Sequence, residues 1–431
     1  MNAPTLPNHP VRATRRTLVA TLLALLLLGV LAGCLQATQP APTPAEVTPT
    51  ATARPRATPV ATVAGAPAPT PIAPPVGLVP ARTIAFVSDR DGQIDLYLTD
   101  IETGRLLRLT NDRAIESFPA WSPDGTTLAY VVEDERTLRN LWIIDLRVGI
   151  HRQLTREEPP FDVRRPAWLR GGRVLLYDTG KPFDRRPELR AITIDGQRLS
   201  PIVPGAGDII YDWSTNGETL ICAVGQMIGE PRIVVADAVP GMTLTAGRDA
   251  PVGFAVELSP DGRSATFTGP PLSDDQVTFL LDLATGATTP LNEGVLGRRY
   301  EHDFAWLPDS KRLILVHGAG GVTDGLGRLK VGSAAPPTSD VTVGLWLVNT
   351  APAPGEPPRT QLTSGSADAA PRPSPDGRWI VYLTDTQKPT PLESNIWLIG
   401  TEPSPGSQAY IPRNLTAEHG NNWSPVWMPL P

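Results

Sequence analysis

The chain has 431 residues, with 49 prolines, 38 glycines, 10 tryptophans and a net charge of −6. So much turn-forming punctuation excludes a mainly helical protein and points to an all-β one. The mild, interspersed charge lacks the basic stripe of a nucleic-acid binder. Two cysteines, Cys34 and Cys222, exclude a disulfide framework.

Arg12, Arg15 and Arg16 precede an apolar run of 16 residues, Leu18 to Gly33. A spanning helix needs about 20 apolar residues, so a charged start and a short apolar core suit a signal peptide, residues 1–33. The run closes in LAGC, Leu31 to Cys34, which resembles the bacterial lipobox. That resemblance implies cleavage before Cys34, acylation of its sulfur, and attachment of the exported protein to a membrane on its extracytoplasmic face. Several acyl chains on one residue anchor stably where one is marginal.

Residues 35–81 contain 12 prolines in 47 positions, among Ala, Thr and Val. Such a segment buries too little apolar surface to offset its ordering entropy. With Cys34 it is expected to form an extended, disordered stalk over 34–81, reaching on the order of 140 Å at about 3.1 Å per residue.

From Arg82 onward two registers repeat. The first is a Trp-centred turn: WSPDG at Trp121, WLRGG at Trp168, WSTNG at Trp213, LSPDG at Leu258, WLPDS at Trp306, PSPDG at Pro373, and PVWMP at Trp427. In SPDG, Ser suits the first position of a type I turn, Pro presets φ at the second, and Gly suits the fourth. Apolar runs such as TLAYVV, RVLLYD and WIVYLT follow, so each copy opens a β-hairpin. The second register is a strand pair about Gly104, Gly149, Gly196, Gly241, Gly286, Gly355 and Gly406. Anchor spacings of 47, 45, 45, 48, 67 and 54 and glycine spacings of 45, 47, 45, 45, 69 and 51 both count seven. Both stretch at the sixth unit.

Four strands in about 45 residues make a propeller blade. The first unit, TIAFVSD, lacks its opening strand, and the chain ends on an opening strand lacking the rest. The expected fold, residues 82–431, is therefore an all-β, seven-bladed β-propeller of four-stranded blades. The C-terminal strand closes it by joining the N-terminal blade, and the recurrent Trp packs between neighbouring sheets.

PAWSPDG followed by a strand, SDRDG, and a strand pair ending in LT resembles the WD40-like repeat of TolB-type propellers. The resemblance covers Arg82 to Pro431 and is densest over 82–155 and 371–416. WLRGG, WSTNG and WLPDS depart from the motif, and a six-bladed ring is the alternative that the resemblance implies.

No GxSxG occurs, and His151, His302, His317 and His419 fall in no catalytic spacing. SDRDGQID lacks the terminal bidentate Glu of an EF-type calcium loop and reads as a turn. GAGG at 318–321 has no following Lys-Ser/Thr and reads as a loop within an insert, 317–343. Cys222, in LICAV, reads as a buried hydrophobe. No catalytic residue, cofactor or metal ligand is assigned; a structural cation in the channel is the weaker idea.

Propeller ligands usually meet the channel mouth, near the start of each innermost strand. The residues there are Glu116, Ser117, Arg164, Arg165, Asp208, Glu301, His302, Asp303, Asp368, Asn421 and Asn422. They are expected to form a mixed polar ring, acting as a binding surface or an ordinary solvated rim. The functional expectation is a monomeric, non-enzymatic scaffold, anchored through Cys34, that binds a protein, peptide or glycan of the bacterial envelope and no nucleic acid. The alternatives are a metal-dependent lactonase-type propeller enzyme and an accessory subunit of a transport or peptidase complex.

Overall fold

The computed structural model describes residues 70–431, except 159–161, 181–187, 227–228, 248, 270–276, 292–303, 318–321, 324–328, 331–342, 366–367, 386–393, 408 and 417–418. The leader, Cys34 and most of the stalk lie outside the described residues, as do Glu301, His302 and Asp303.

Seven antiparallel sheets form seven blades, and the ring closes as the repeat predicts. Blade 1 runs, from the channel outward, Asn422–Trp427, Thr83–Ser88, Asp95–Asp100 and Leu106–Arg108. The C-terminal strand is thus innermost, with Ile84 opposite Trp427 and Ser88 opposite Asn422. Blade 2 spans Ile115–Trp121 to Ile150–Gln153, blade 5 Phe254–Leu258 to Thr288–Pro290, blade 6 Phe304–Trp306 to Arg359–Gln361, and blade 7 Ala369–Pro373 to Arg413–Asn414.

Blades 3 and 4 begin at Asp162–Trp168 and Asp208–Thr215 and keep three laddered strands each. Their outer edges are reduced to isolated bridges, Leu189 to Ile202, Ile192 to Arg198 and Arg232 to Val252. A short parallel pairing of Val203–Pro204 with Thr243–Leu244 joins the two edges.

The SPDG turns explain their own recurrence. In blade 2 the Ser122 hydroxyl donates to Asp124 (2.6 Å) and accepts the Thr127 N–H (2.9 Å), while Gly125 N–H donates to the Ser122 carbonyl (2.9 Å). Blades 5 and 7 repeat this with Ser259, Asp261 and Gly262 and with Ser374, Asp376 and Gly377. The glycines have φ of 67°, 67° and 71°, the left-handed region that explains why Gly stands there.

The second strand of each blade is buried along most of its length because neighbouring blades cover both its faces. Leu128 to Val132, Leu313 to Val316 and Ile380 to Leu383 are all buried. The largest core cluster spans the closure, bringing Phe86 and Tyr97 of blade 1 together with Trp121 and Tyr130 of blade 2, Leu383 and Leu398 of blade 7, and Trp423 and Trp427 of the closing strand.

Three anchor tryptophans add a directional link between blades. Trp168 Nε1 donates to the Ala120 carbonyl (3.0 Å), Trp121 Nε1 to Val426 (3.2 Å) and Trp427 Nε1 to Arg372 (2.7 Å). Each acceptor is the residue immediately before the preceding blade's anchor. The indole therefore packs between sheets and also fixes their relative height. Trp213 and Trp306 Nε1 are buried without an acceptor among the described residues.

Residues 70–81, at the end of the segment read as stalk, lie on the propeller. Ile72 N–H donates to the Gly149 carbonyl (3.0 Å), Arg105 Nη1 donates to the Val76 carbonyl (2.7 Å), and Ile72 and Leu78 pack against the closure core. A side chain at Gly149 would collide with the Ile72 carbonyl.

Two outcomes follow. Deleting residues 421–431 is expected to abolish the cooperative thermal transition followed by circular dichroism, because it strips the inner strand from blade 1 and the Trp427 link from blade 7; a melt with unchanged cooperativity contradicts it. Trp168→Phe is expected to cost about 1 kcal/mol in urea unfolding, since the half-buried Ala120 carbonyl loses its indole donor. Trp306→Phe, which removes an unpartnered N–H, is expected to cost less.

Candidate functional site

Six of the seven inner strands line the channel with a kink. Phe118, Arg165, Ala255, Ala370 and Ser424 have φ between 43° and 51°, and each lies three residues before its blade's anchor. The ladder register shifts at every one of them. Blade 4 shifts register between Ile210 and Asp212.

These are β-bulges with a non-glycine residue in the left-handed region, a conformation that costs of order 1–3 kcal/mol per residue. Four are followed by proline: Pro119, Pro166, Pro371 and Pro425. Proline has no N–H to give to a ladder, so it suits the unpaired position of a bulge.

The bulges shape one cavity of about 700 Å³, to which all seven inner strands contribute. Its charged lining is Arg165, Asp212, Glu257 and Arg372, set among the indoles of Trp121, Trp168, Trp213 and Trp427. Arg165 spans two blades: Nη1 meets Asp212 Oδ1 at 2.6 Å and Nε meets Asp178 Oδ1 at 3.4 Å, while its guanidinium carbon lies 5.5 Å from the Trp213 ring centre. Asp212 Oδ2 accepts the Val256 N–H of blade 5 (3.1 Å). Blades 3, 4 and 5 are thereby tied through one ion-paired network, where two indole links are missing. Arg372 differs from Arg165. Its Nη1 donates to the adjacent Pro371 carbonyl (2.8 Å), and it pairs with no carboxylate among the described residues.

Of the residues singled out by sequence, Arg165 lines this cavity. Glu116, Ser117, Asp368 and Asn422 are buried, while Arg164, Asp208 and Asn421 are half-buried. Asn421 and Asn422 latch the closing strand to the SDRDG turn. Asn421 N–H and Nδ2 donate to Asp89 (2.6 and 2.8 Å), and Asn422 Oδ1 accepts from Arg90 Nη2 (2.8 Å). The other carboxylates of that turn are also engaged, Asp91 by the Tyr97 hydroxyl and Asp95 by Arg108.

Both Glu116 carboxylate oxygens and the Ser117 hydroxyl are buried without partners among the described residues. Burial, then the charges of Asp112 and Asp95, push the Glu116 carboxyl well above the ordinary range. Nearby in blade 2, the Tyr130 hydroxyl and His151 Nδ1 share a 2.7 Å hydrogen bond, and burial lowers His151 to about 4.

Asp212, Glu257 and Arg372, each one residue before its anchor, are the channel residues that reading strand starts missed. Side chains alternate along a strand, and the extra residue of a bulge reverses the alternation beyond it. The recurring X-Pro pair three and two residues before the anchor was the available signal.

A ring of seven blades around an open, mixed-polarity channel defines a β-propeller with a central cavity. Residues 90–164 match the family model of the dipeptidyl peptidase IV (DPP IV) N-terminal region. A TolB homolog of Chlorobium luteolum is 25% identical over 205 residues, 48% of this chain and 35% of that protein. A second, from Chlorobaculum tepidum, is 29% identical over 124 residues, 29% of this chain and 27% of that protein. The chain thus spans about a third or less of the length of these relatives.

Among solved structures, puromycin hydrolase superposes with a TM-score of 0.54 at 16% identity, covering 84% of this chain and 55% of that one. Oligogalacturonate lyase from Vibrio parahaemolyticus gives 0.51 at 12% identity, covering 70% and 83%. These likenesses establish the fold. The chain is a β-propeller, and part of it is similar in sequence to TolB homologs.

Titration gives opposite signs for the two perturbed groups of blade 2. A raised Glu116 keeps its proton in the folded state after the unfolded chain has released it, so its contribution falls as pH rises above the unfolded value near 4.5. Glu116→Gln is expected to raise the melting temperature at pH 7.5, with a gain that fades toward pH 4.5. His151, neutral when folded, loses stability as pH falls from 6.5 toward about 4. Melting curves of the two forms across this range check both signs.

Proposed function

We propose that the protein is an exported lipoprotein, lipidated at Cys34, whose stalk presents the propeller at the membrane surface and whose channel binds an envelope protein, peptide or glycan without turnover. The observation that carries this reading is the channel itself. Seven inner strands, six of them kinked, line a cavity of about 700 Å³ with indole walls and an arginine, Arg372, that no carboxylate neutralises among the described residues. Aromatic walls with a few fixed charges suit recognition by packing plus one or two oriented polar contacts. The similarity to TolB homologs of Chlorobium luteolum and Chlorobaculum tepidum supports an envelope setting, and the lipobox-like LAGC supports attachment.

Crosslinking and affinity capture from membranes test the site. Wild-type protein is expected to retain a specific partner that Arg372→Glu loses while its melt stays unchanged. A partner retained at full yield by Arg372→Glu overturns the channel reading. Cys34→Ser is expected to move the protein to the soluble fraction, and continued membrane fractionation overturns lipid anchoring. Turnover of lactone or ester substrates by the purified protein would replace binding with catalysis.

A further inference from the structure

The threonine of the LT ending has a fixed task in four blades. Thr110, Thr155, Thr363 and Thr416 each follow an outer strand, and each hydroxyl oxygen accepts a backbone N–H at the start of the third strand. The donors are Leu96 (2.9 Å), Leu141 (2.8 Å), Leu345 (2.9 Å) and Ile396 (3.1 Å). The threonine O–H must then donate elsewhere. In blades 1, 2 and 7 it reaches the residue just before that N–H: Asp95 (3.2 Å), Asn140 (3.0 Å) and Asn395 (2.9 Å).

Blade 6 has Gly344 at that position, with φ of 121° and no room for a side chain against the Thr363 carbonyl. Thr363 donates instead to Asp368, at the start of the blade 7 inner strand. Asp368 stands where blade 2 has Glu116, five residues before the anchor. In blade 1 Thr110 donates to Asp95, and neither Glu116 oxygen has a hydrogen-bond partner among the described residues, although Thr110 lies close to it. In blade 6, where Gly344 offers no side chain, the threonine donates to Asp368.

Beside this exchange lies a second cavity, about 470 Å³, that shares no lining residue with the channel. Asp368, Trp397, Tyr382, Tyr410 and Thr384 line it, and among the described residues its lining includes no Lys, Arg or His. Asp368 is 4% exposed. Its carboxylate accepts the Thr363 hydroxyl, and the Thr384 hydroxyl and the Gly365 N–H lie close to it. A buried carboxylate without a counter-charge is costly, and aromatic side chains around it attract a cation whose substituents are carbon.

We propose that the cavity between blades 6 and 7 binds an organic ammonium ion, with Asp368 meeting the charge and Trp397, Tyr382 and Tyr410 flanking its carbon substituents. The cation would supply the counter-charge that the described lining lacks. The Thr363 hydroxyl already orients the carboxylate. A free quaternary ammonium compound and a lysine-like primary amine on a peptide share this chemistry, and the probes below separate them.

Isothermal titration of the full-length protein with choline, n-butylammonium and dimethylbutanol, the uncharged isostere of choline, tests the proposal. At least one cation is expected to bind saturably while dimethylbutanol does not. Asp368→Asn is expected to weaken that binding by roughly tenfold or more, the loss of one charge-assisted contact. Stronger choline binding assigns a quaternary ammonium ligand, and stronger n-butylammonium binding assigns a primary amine. Equal binding of dimethylbutanol, no saturable binding of either cation in the millimolar range, or undiminished affinity in Asp368→Asn overturns the proposal. If Asp368→Asn fails to give a wild-type melt, Tyr410→Leu at the half-buried wall takes its place, with the same weakening expected and unchanged affinity overturning the site.

Discussion

Everything in this molecule depends on one strand pairing between the two ends of the propeller. Asn422–Trp427 adds to the edge of Thr83–Ser88, and an open row of sheets becomes a closed ring whose inner edges are short and face the channel. Without that pairing blade 1 has no inner strand, and the Arg372 carbonyl in blade 7 loses its indole donor. The closure is reinforced at both levels available to it. A shared core joins blades 1, 2 and 7, and Asn421 and Asn422 form a polar latch to the 89–92 turn.

Around the ring the links between blades are not uniform, and the substitutions follow physical need. Where the anchor is tryptophan and its indole finds the neighbouring carbonyl, one hydrogen bond sets the height between sheets. Blade 5 has Leu258 in place of an indole. There Asp212 accepts the Val256 N–H and Arg165 ties Asp212 back to blade 3. Charge thus carries, over blades 3 to 5, the alignment that indoles carry over blades 7, 1, 2 and 3. The same arginine lines the cavity, so the support of the ring and the chemistry of the channel overlap at one residue.

The bulges tie architecture to site. Five strained non-glycine residues at equivalent positions are expensive to keep, and they persist because the flanking ladders and anchors over-determine them. Their effect is to aim the residues just before each anchor at the axis. Small changes between repeats then diversify the result. Gly344 stands in place of Asp or Asn and one hydroxyl donates to Asp368, whereas Thr110 donates to Asp95 and Glu116 is buried without a partner among the described residues. Equivalent acidic residues in two blades therefore have different surroundings, decided by a neighbour in the blade before.

Much of the fold was legible in the sequence because its information is local. SPDG closes its own turn through the Ser and Asp side chains, apolar runs mark strands covered on both faces, and two independent periods count the blades. The incomplete units at the two ends were enough to imply the closing pair. The site was less legible. Strand starts were the natural place to look, but side-chain direction beyond them depends on a bulge, and a bulge depends on the register of the partner strand. Glu116, Ser117, Asp368 and Asn422 are consequently buried, while Asp212, Glu257 and Arg372 reach the channel. Short-range hydrogen bonding and periodic burial are written residue by residue. Which face a side chain presents, and whether a buried carboxylate finds a donor, are settled only when sheets from distant parts of the chain pack together.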